Sequence, residues 1–248
     1  MAYLQYMLPH QIGLAVRENW PAVIPAGCVE FHGNHLPLGT DLIIVEEIMR
    51  RVEKHVKIVV CPSVAYGPTG YAISGPEQGT IDVRPGAFKD HMKDILLALY
   101  RTGFRKFVVP LQHQGPDGPE GASFKLAAAE VYNELKNTHG NGWYTDKMPE
   151  NSDSIPIDLK VMGSTAGEYP WPGSHGAWGE TEPMMALKPE TVDMGRLERG
   201  DFWWNWCPGN EADRSDPAGG MEKIDRIVKD WVRFFHENYP QTKDRCLP

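Results

Sequence analysis

An α/β fold, with a mainly parallel sheet covered on both faces by helices, is predicted by three features of the sequence. Short apolar runs of strand length alternate with segments of helical length and helical spacing. The runs Ala22–Ala26, Val56–Cys61 and Lys106–Leu111 each lead into a polar or glycine-rich loop and then a helical pattern. Side chains suited to chemistry follow two of these runs, on the rim where parallel sheets gather their reactive groups.

A helical stretch near Pro9–Asn19 leads into the first run. Leu42–Val52 reads as an amphipathic helix with Thr40 or Asp41 at its N-cap. Val56–Cys61 fits a buried strand, and Tyr66 to Gly79 is a loop rich in glycine and proline that ends in Gly79–Val83. A helix is expected over Pro85–Arg101, with Ile95, Leu96, Leu99 and Tyr100 on its apolar face and Gly103 as its stop. Lys106–Leu111 is the third strand and Gly121–Lys136 the next helix. Asn137–Ser154 is a polar surface excursion, Ile155–Val161 a further strand, and Gly163–Gly179 a loop. The closing helix, Met221–Tyr239, places Ile224, Ile227, Val228, Trp231, Val232 and Phe235 near helical spacing. No repeat, low-complexity tract or linker interrupts the pattern, so residues 1–248 are expected to form a single domain.

Composition excludes several function classes. Hydrophobic residues at 41% and charged residues at 23% describe a globular chain. With 25 basic against 33 acidic residues the formal charge is −8, which argues against a nucleic-acid surface. Cys28, Cys61, Cys207 and Cys246 have no paired metal-ligand spacing, and Cys28 and Cys61 read as buried thiols. The N-terminus lacks the charged start and long apolar core of a secretory signal, and no run reaches membrane-spanning length. A cytoplasmic protein without membrane or nucleic-acid partners is expected.

The stretch Ala26–Asp41 carries Glu30, His32, His35 and Asp41 between a strand and a helix. Glu30 and His32 are two apart, so extended backbone points both the same way. Carboxylate and imidazole together suit Zn, Mn, Fe or Ni. The bland alternative is a capping aspartate beside polar loop histidines, and a catalytic metal needs donors from elsewhere. His113, directly after the third apolar run, is one candidate, and Ser174–Glu182 adds His175, Glu180 and Glu182. The glycines at 115, 118 and 121 suggest a phosphate cradle, but no Walker lysine accompanies them. Two further readings compete with a metal enzyme. One is a glycosidase on Glu180 and Glu182 with tryptophan platforms, the other a non-catalytic metal-binding protein.

Four motifs resemble those of the creatinine amidohydrolase (creatininase) family. Gly27 to Asp41 resembles its E-x-H-G-x-H-L-P-L-x-T-D signature, and Gly79-Thr-Ile its P-G-T-I turn with Gln78 for the proline. His113 resembles the histidine of its N-G-H element, and His175 to Thr181 its H-A-G-x-x-E-T element. The resemblance implies a three-layer α/β/α sandwich holding two divalent metal ions (Zn, Mn or Fe). It carries ligand roles onto Glu30, His32, Asp41, His113 and Glu180, with Asp41 as the bridge, and a general acid/base role onto His175. Trp171 and Trp178 become candidates for contact with a small-molecule substrate, and a homo-oligomer, hexameric as in the family, is implied. The implied chemistry is hydrolysis of a cyclic amide or related small carbonyl compound by metal-activated water. A carbon–carbon hydrolase of an inositol-derived cyclic diketone (3-dehydro-scyllo-inosose type) is the alternative. Gly115 stands where creatinine-cleaving members have an acidic residue, which sets creatinine itself lower. Leu111 and Gln112 replace the family's Asn-Gly, Gly176-Ala177 inverts its Ala-Gly, and Glu182 replaces a serine. The aromatic group Trp203, Trp204 and Trp206 suits subunit packing as well as substrate contact.

Overall fold

The computed structural model describes residues 2–139, 157–166, 175–198 and 211–243. Four strands, β1 (Ala22–Val23), β2 (Val59–Val60), β3 (Lys106–Leu111) and β4 (Asp158–Gly163), form one sheet in the order β2-β1-β3-β4. Every pairing is parallel: Ala22 lies beside Val59 and Phe107, and β3 pairs with β4 from Lys106–Asp158 to Leu111–Gly163. β1 and β2 are shorter than the apolar runs that contain them. Pro21, Pro25 and Pro62 flank them and have no N–H to give to a ladder. The first run nevertheless continues as isolated parallel bridges from Ala26 to Val64 and Leu111, which carries the chain to the sheet's carboxyl rim.

Among the described residues six α-helices flank the sheet: α1 (Pro9–Arg17), α2 (Thr40–Val52), α3 (Pro85–Thr102), α4 (Pro119–His139), α5 (Trp178–Leu187) and α6 (Pro217–Asn238). Strand alternation decides which face each covers. Phe107, Val109 and Leu111 point to one side, where they meet Phe88, Met92 and Leu96 of α3 and Phe124, Ala127 and Val131 of α4. Val23, Val60 and Val108 point to the other, against Ile44 and Ile48 of α2, Met184 of α5 and Ile224, Ile227, Trp231 and Phe235 of α6. This is the α/β/α sandwich. Trp231 is fully buried, and its indole N–H donates to the Ser164 carbonyl at 2.6 Å, so α6 is tied to the end of β4. No described helix is long and apolar enough to cross a membrane.

Three of the elements that differ from expectation bear on the site. The N-cap of α2 is Gly39, not Thr40 or Asp41. The Thr40 hydroxyl donates to the Pro37 carbonyl at 2.7 Å, and the Asp41 carboxylate turns to histidines instead of its own backbone. α4 begins at Pro119, a residue type pre-set for a first helical turn, two positions before the expected Gly121. α5 had no counterpart in the pattern, because Gly179 and Pro183 lie inside a helix of 10 residues. α6 holds it in place. A Cβ on Gly220 would stand 2.1 Å from the Glu182 carbonyl oxygen, so only a glycine lets the two backbones meet there. Of the fourth strand, residues 155–156 lie outside the described residues, as do most of the 137–154 excursion and the Trp203–Trp206 group.

Candidate metal centre

Glu30, His32, Asp41, His113 and Glu180 converge at the carboxyl rim. They lie between 0% and 6% exposed. Glu30 and His32 come from the irregular segment after β1, as their spacing of two requires. That segment is braced from the side: Phe31 N–H donates to Thr80 Oγ1 at 3.1 Å, and Ile81 N–H to the Val29 carbonyl at 3.0 Å. Gln112 N–H donates to the Ala26 carbonyl at 3.1 Å, which sets His113 beside the same segment. Glu180 comes from the first turn of α5, where its Oε2 accepts from Gly176 N–H at 2.7 Å.

Asp41 is central because α2 starts directly against the end of the first strand run. A Cβ on Gly27 would lie 2.9 Å from Asp41 Cβ and 3.2 Å from its carbonyl carbon. Gly27→Ala is therefore expected to displace Asp41 while the helices survive. A metal affinity at least about tenfold weaker, with unchanged circular dichroism, checks it. Asp41 Oδ1 lies 3.2 Å from His32 Nε2, and Oδ2 lies 3.4 Å from His113 Nδ1. On either side, His32 Nε2 is 3.8 Å from Glu180 Oε2 and His113 Nδ1 is 2.9 Å from Glu30 Oε1. With the His32 Nδ1 proton donated to the Glu30 carbonyl at 2.9 Å, its Nε2 lone pair faces the carboxylates.

These donors fit divalent cations. Two ligand triads, Glu30–Asp41–His113 and His32–Asp41–Glu180, each have donor atoms within 4.8 Å of one another, and they share Asp41. Among the described residues three buried carboxylates have only histidines as ion-pair partners, and Asp41 Oδ2 has no hydrogen bond. Such a concentration of buried charge calls for coordination.

Without cations the centre holds protons instead. Burial opposes charge on His32, but Asp41, Glu180 and Glu30 outweigh it and hold its pKa up to about 10. Burial likewise opposes charge on His113, while Asp41, Cys28 and Glu30 raise its pKa well above the ordinary value. Burial pushes Glu180 up to about 7 against the pull of His32. For Asp41, burial is overcome by His32 and His113, which hold it far below the carboxylate range. His32 binds its proton more tightly folded than unfolded. Its contribution to stability is complete below pH 6.5 and is lost as the pH rises through 10. Glu180, also raised, works in the same direction between its ordinary 4.5 and about 7. The metal-free protein is thus expected to melt at steadily lower temperature from pH 6.5 to 10. Loading with metal should flatten that slope, because cations replace the protons. Calorimetry of both forms across this range is the check.

His175 stands at the edge of the cluster. Its ring stacks on His32 with centroids 4.2 Å apart, Nε2 lies 2.5 Å from the Phe31 carbonyl, and Nδ1 lies 3.6 Å from Glu30 Oε1. Burial, with His32 beside it, pushes its pKa down to about 4, so the ring is neutral at pH 7. His35 also joins the support, its Nε2 3.0 Å from Thr181 Oγ1 on the first turn of α5.

The aromatic candidates fare differently. Trp178 sits one turn before Glu182 on the side of α5 that faces α6, its ring 3.9 Å from Lys223 Nζ. Lys223 also donates to Glu182 at 2.9 Å. Glu180 and Glu182 therefore point to different sides, so these two do not form the carboxylate pair that a glycosidase needs. Trp171 lies outside the described residues. Gly115 has φ +73°, a Cβ there would meet no atom within 4 Å, and the residue offers no donor to the cluster. Sequence reasoning missed Glu120, a fully buried acid in the first turn of α4. Its signal was an acidic residue opening the helix that follows His113.

Comparison with known proteins bears on this arrangement. The sequence model of one family, described as creatinine amidohydrolase, matches residues 6–233. The 3-dehydro-scyllo-inosose hydrolase of Thermotoga maritima is 30% identical over 224 residues, spanning 84% of this chain and 70% of that protein. The creatinine amidohydrolase of Pseudomonas putida is 25% identical over 183 residues, spanning 71% of this chain and 67% of that protein. A crystal structure of a creatinine amidohydrolase shares the fold with a TM-score of 0.76 at 18% identity, covering 96% of this chain and 98% of that one.

Proposed function

Because the chain belongs to the creatinine amidohydrolase family, whose members are hydrolases, we propose that this metal-dependent hydrolase opens a small cyclic carbonyl compound at a centre of two divalent ions. The observation that carries the proposal is the pair of buried triads meeting at Asp41. Glu30, Asp41 and His113 would hold one ion, and His32, Asp41 and Glu180 the other. Zinc, manganese and iron suit these donors, and solved creatininases at 18% identity include a zinc–zinc form and a manganese form.

When bound, such ions polarise a carbonyl oxygen and bring loss of a proton from water into the neutral range. The chain's own residues supply the rest. Asp41 presents one oxygen to each triad and so sets their separation. His175, neutral and only 16% exposed, takes the proton at Nδ1 and returns it to the leaving atom. The Phe31 carbonyl holds the other ring nitrogen and aims the ring.

A cyclic amide is the first substrate class. The second is a cyclic diketone opened at a carbon–carbon bond, which the name of the Thermotoga relative favours and the missing carboxylate at Gly115 suits. Elemental analysis of protein purified without chelator comes first, followed by assays of both classes. Two equivalents of metal with turnover of either class supports the proposal and selects the substrate. Two equivalents with no turnover of either class overturns the ring-opening reading, and no metal uptake overturns the centre. Cytoplasmic location and homo-oligomeric, hexameric assembly belong to the same proposal, the assembly being readable by light scattering.

A further inference from the structure

Cys28 and Glu120 lie against the centre without belonging to either triad. Both are 0% exposed. Cys28 precedes Glu30 by two residues, and its S–H donates to Glu120 Oε2 at 3.5 Å. Together with His113 they form a third group whose donor atoms lie within 4.8 Å of one another. Two buried atoms of this group, His113 Nε2 and Glu120 Oε1, have no hydrogen-bond partner among the described residues. Orphaned buried polar atoms are costly and call for an explanation. The backbone is also shaped around the group. A Cβ on Gly67 would stand 2.7 Å from Glu120 Cδ and 3.1 Å from Cys28 Sγ, so the loop closes on both side chains only because residue 67 has none.

We propose that Glu120 is a positioning residue for His113, holding the ring through Nε2, with Cys28 beside it, so that Nδ1 faces the metal-binding carboxylates. The inference rests on the metal-centre reading above. His113 Nδ1 already lies 2.9 Å from Glu30 and 3.4 Å from Asp41, so it is the ligating nitrogen. A ring that ligates through Nδ1 carries its proton on Nε2. A carboxylate accepting that proton's hydrogen bond locks the tautomer, fixes the ring plane and makes the ligating nitrogen more basic. The Cys28 S–H donates to Oε2 of the same carboxylate and so helps to keep Glu120 aimed.

The test loads metal-free wild type, E120Q and C28S with cobalt(II). It reads affinity by chelator competition and the visible and near-ultraviolet spectra. E120Q is expected to bind the same number of ions about 10–100-fold more weakly, with a shifted visible spectrum. C28S, which keeps a hydrogen-bond donor, should stay within a few-fold of wild type. Zinc-loaded wild type needs no variant: NMR should show a protected His113 ring N–H at Nε2. Unchanged affinity and spectrum in E120Q, or a His113 without that proton, overturns the inference. So does a thiolate-to-cobalt charge-transfer band that C28S abolishes, because Cys28 would then be a ligand itself. Wild type that binds no cobalt fails the metal-centre reading as well, whereas wild type and E120Q binding cobalt equally fails this inference alone.

Discussion

Asp41→Ala is expected to abolish paired metal binding and to lower turnover by roughly 10³-fold or more. The carboxylate is the one group common to both triads, with Oδ1 3.2 Å from His32 and Oδ2 3.4 Å from His113. Every other ligand serves a single triad, so its loss leaves one set complete. Removing Asp41 leaves neither. Lewis-acid stabilisation of a developing charge is worth several kcal/mol, and each 1.36 kcal/mol is about tenfold in rate. The variant also strips His32 and His113 of their shared anion, so the metal-free protein should lose stability by a few kcal/mol, the usual cost of breaking a buried pair. Metal content, turnover and melting temperature are the three readouts. Asp41→Ala protein that retained two equivalents of metal would remove the bridging role.

His175→Ala is expected to give the complementary result, full metal content with turnover lower by roughly 10²–10⁴. The ring stacks on His32 and approaches Glu30, yet its two nitrogens are differently engaged. Nε2 is committed to the Phe31 carbonyl, and Nδ1 faces the cluster. On the proposed reaction a base so placed would move a proton between water and the leaving atom, and truncating it would remove that path without emptying either triad. Glu30, His32 and His175 also form a close donor group of their own. The two roles separate cleanly. A variant that lost metal, yet regained full activity when metal was restored, would make His175 a ligand rather than a proton carrier.

Much of this centre was legible because its chemistry is local in sequence. Glu30, His32 and Asp41 lie within one strand-to-helix connection, and period-two geometry already set the first two on one side. His113 followed from the rule that reactive groups gather beyond the carboxyl ends of parallel strands. The strand–helix alternation gave a parallel sheet, and the structure has one in the order β2-β1-β3-β4. Resemblance to a family extended these readings to Glu180 and His175, which composition alone left as ordinary loop residues.

Other features depended on contacts between distant segments. α5 carries Gly179 and Pro183, and no local rule favours a helix there. It exists because Gly220 lets α6 press against its backbone. Local pattern offers Thr40 or Asp41 as the cap of α2, but Gly39 takes that place, and the Asp41 carboxylate meets two imidazoles once Gly27 lets the segments approach. Trp178 faces Lys223 because helical spacing puts it on the same side of α5 as Glu182, away from Glu180. Glu120 is distant in sequence from Cys28 and shares no motif with it.

By itself, the sequence determined the residue types of the centre, the order of the elements that carry them and the class of parallel α/β fold. Those are properties of spacing, and spacing survives in a linear chain. Only the tertiary structure decided which oxygen of Asp41 meets which histidine, that α5 forms at all, and that Glu120 comes close to Cys28 and His113. Those are decided by close approach between segments far apart in the chain, and close approach is a property of packing that no local pattern records.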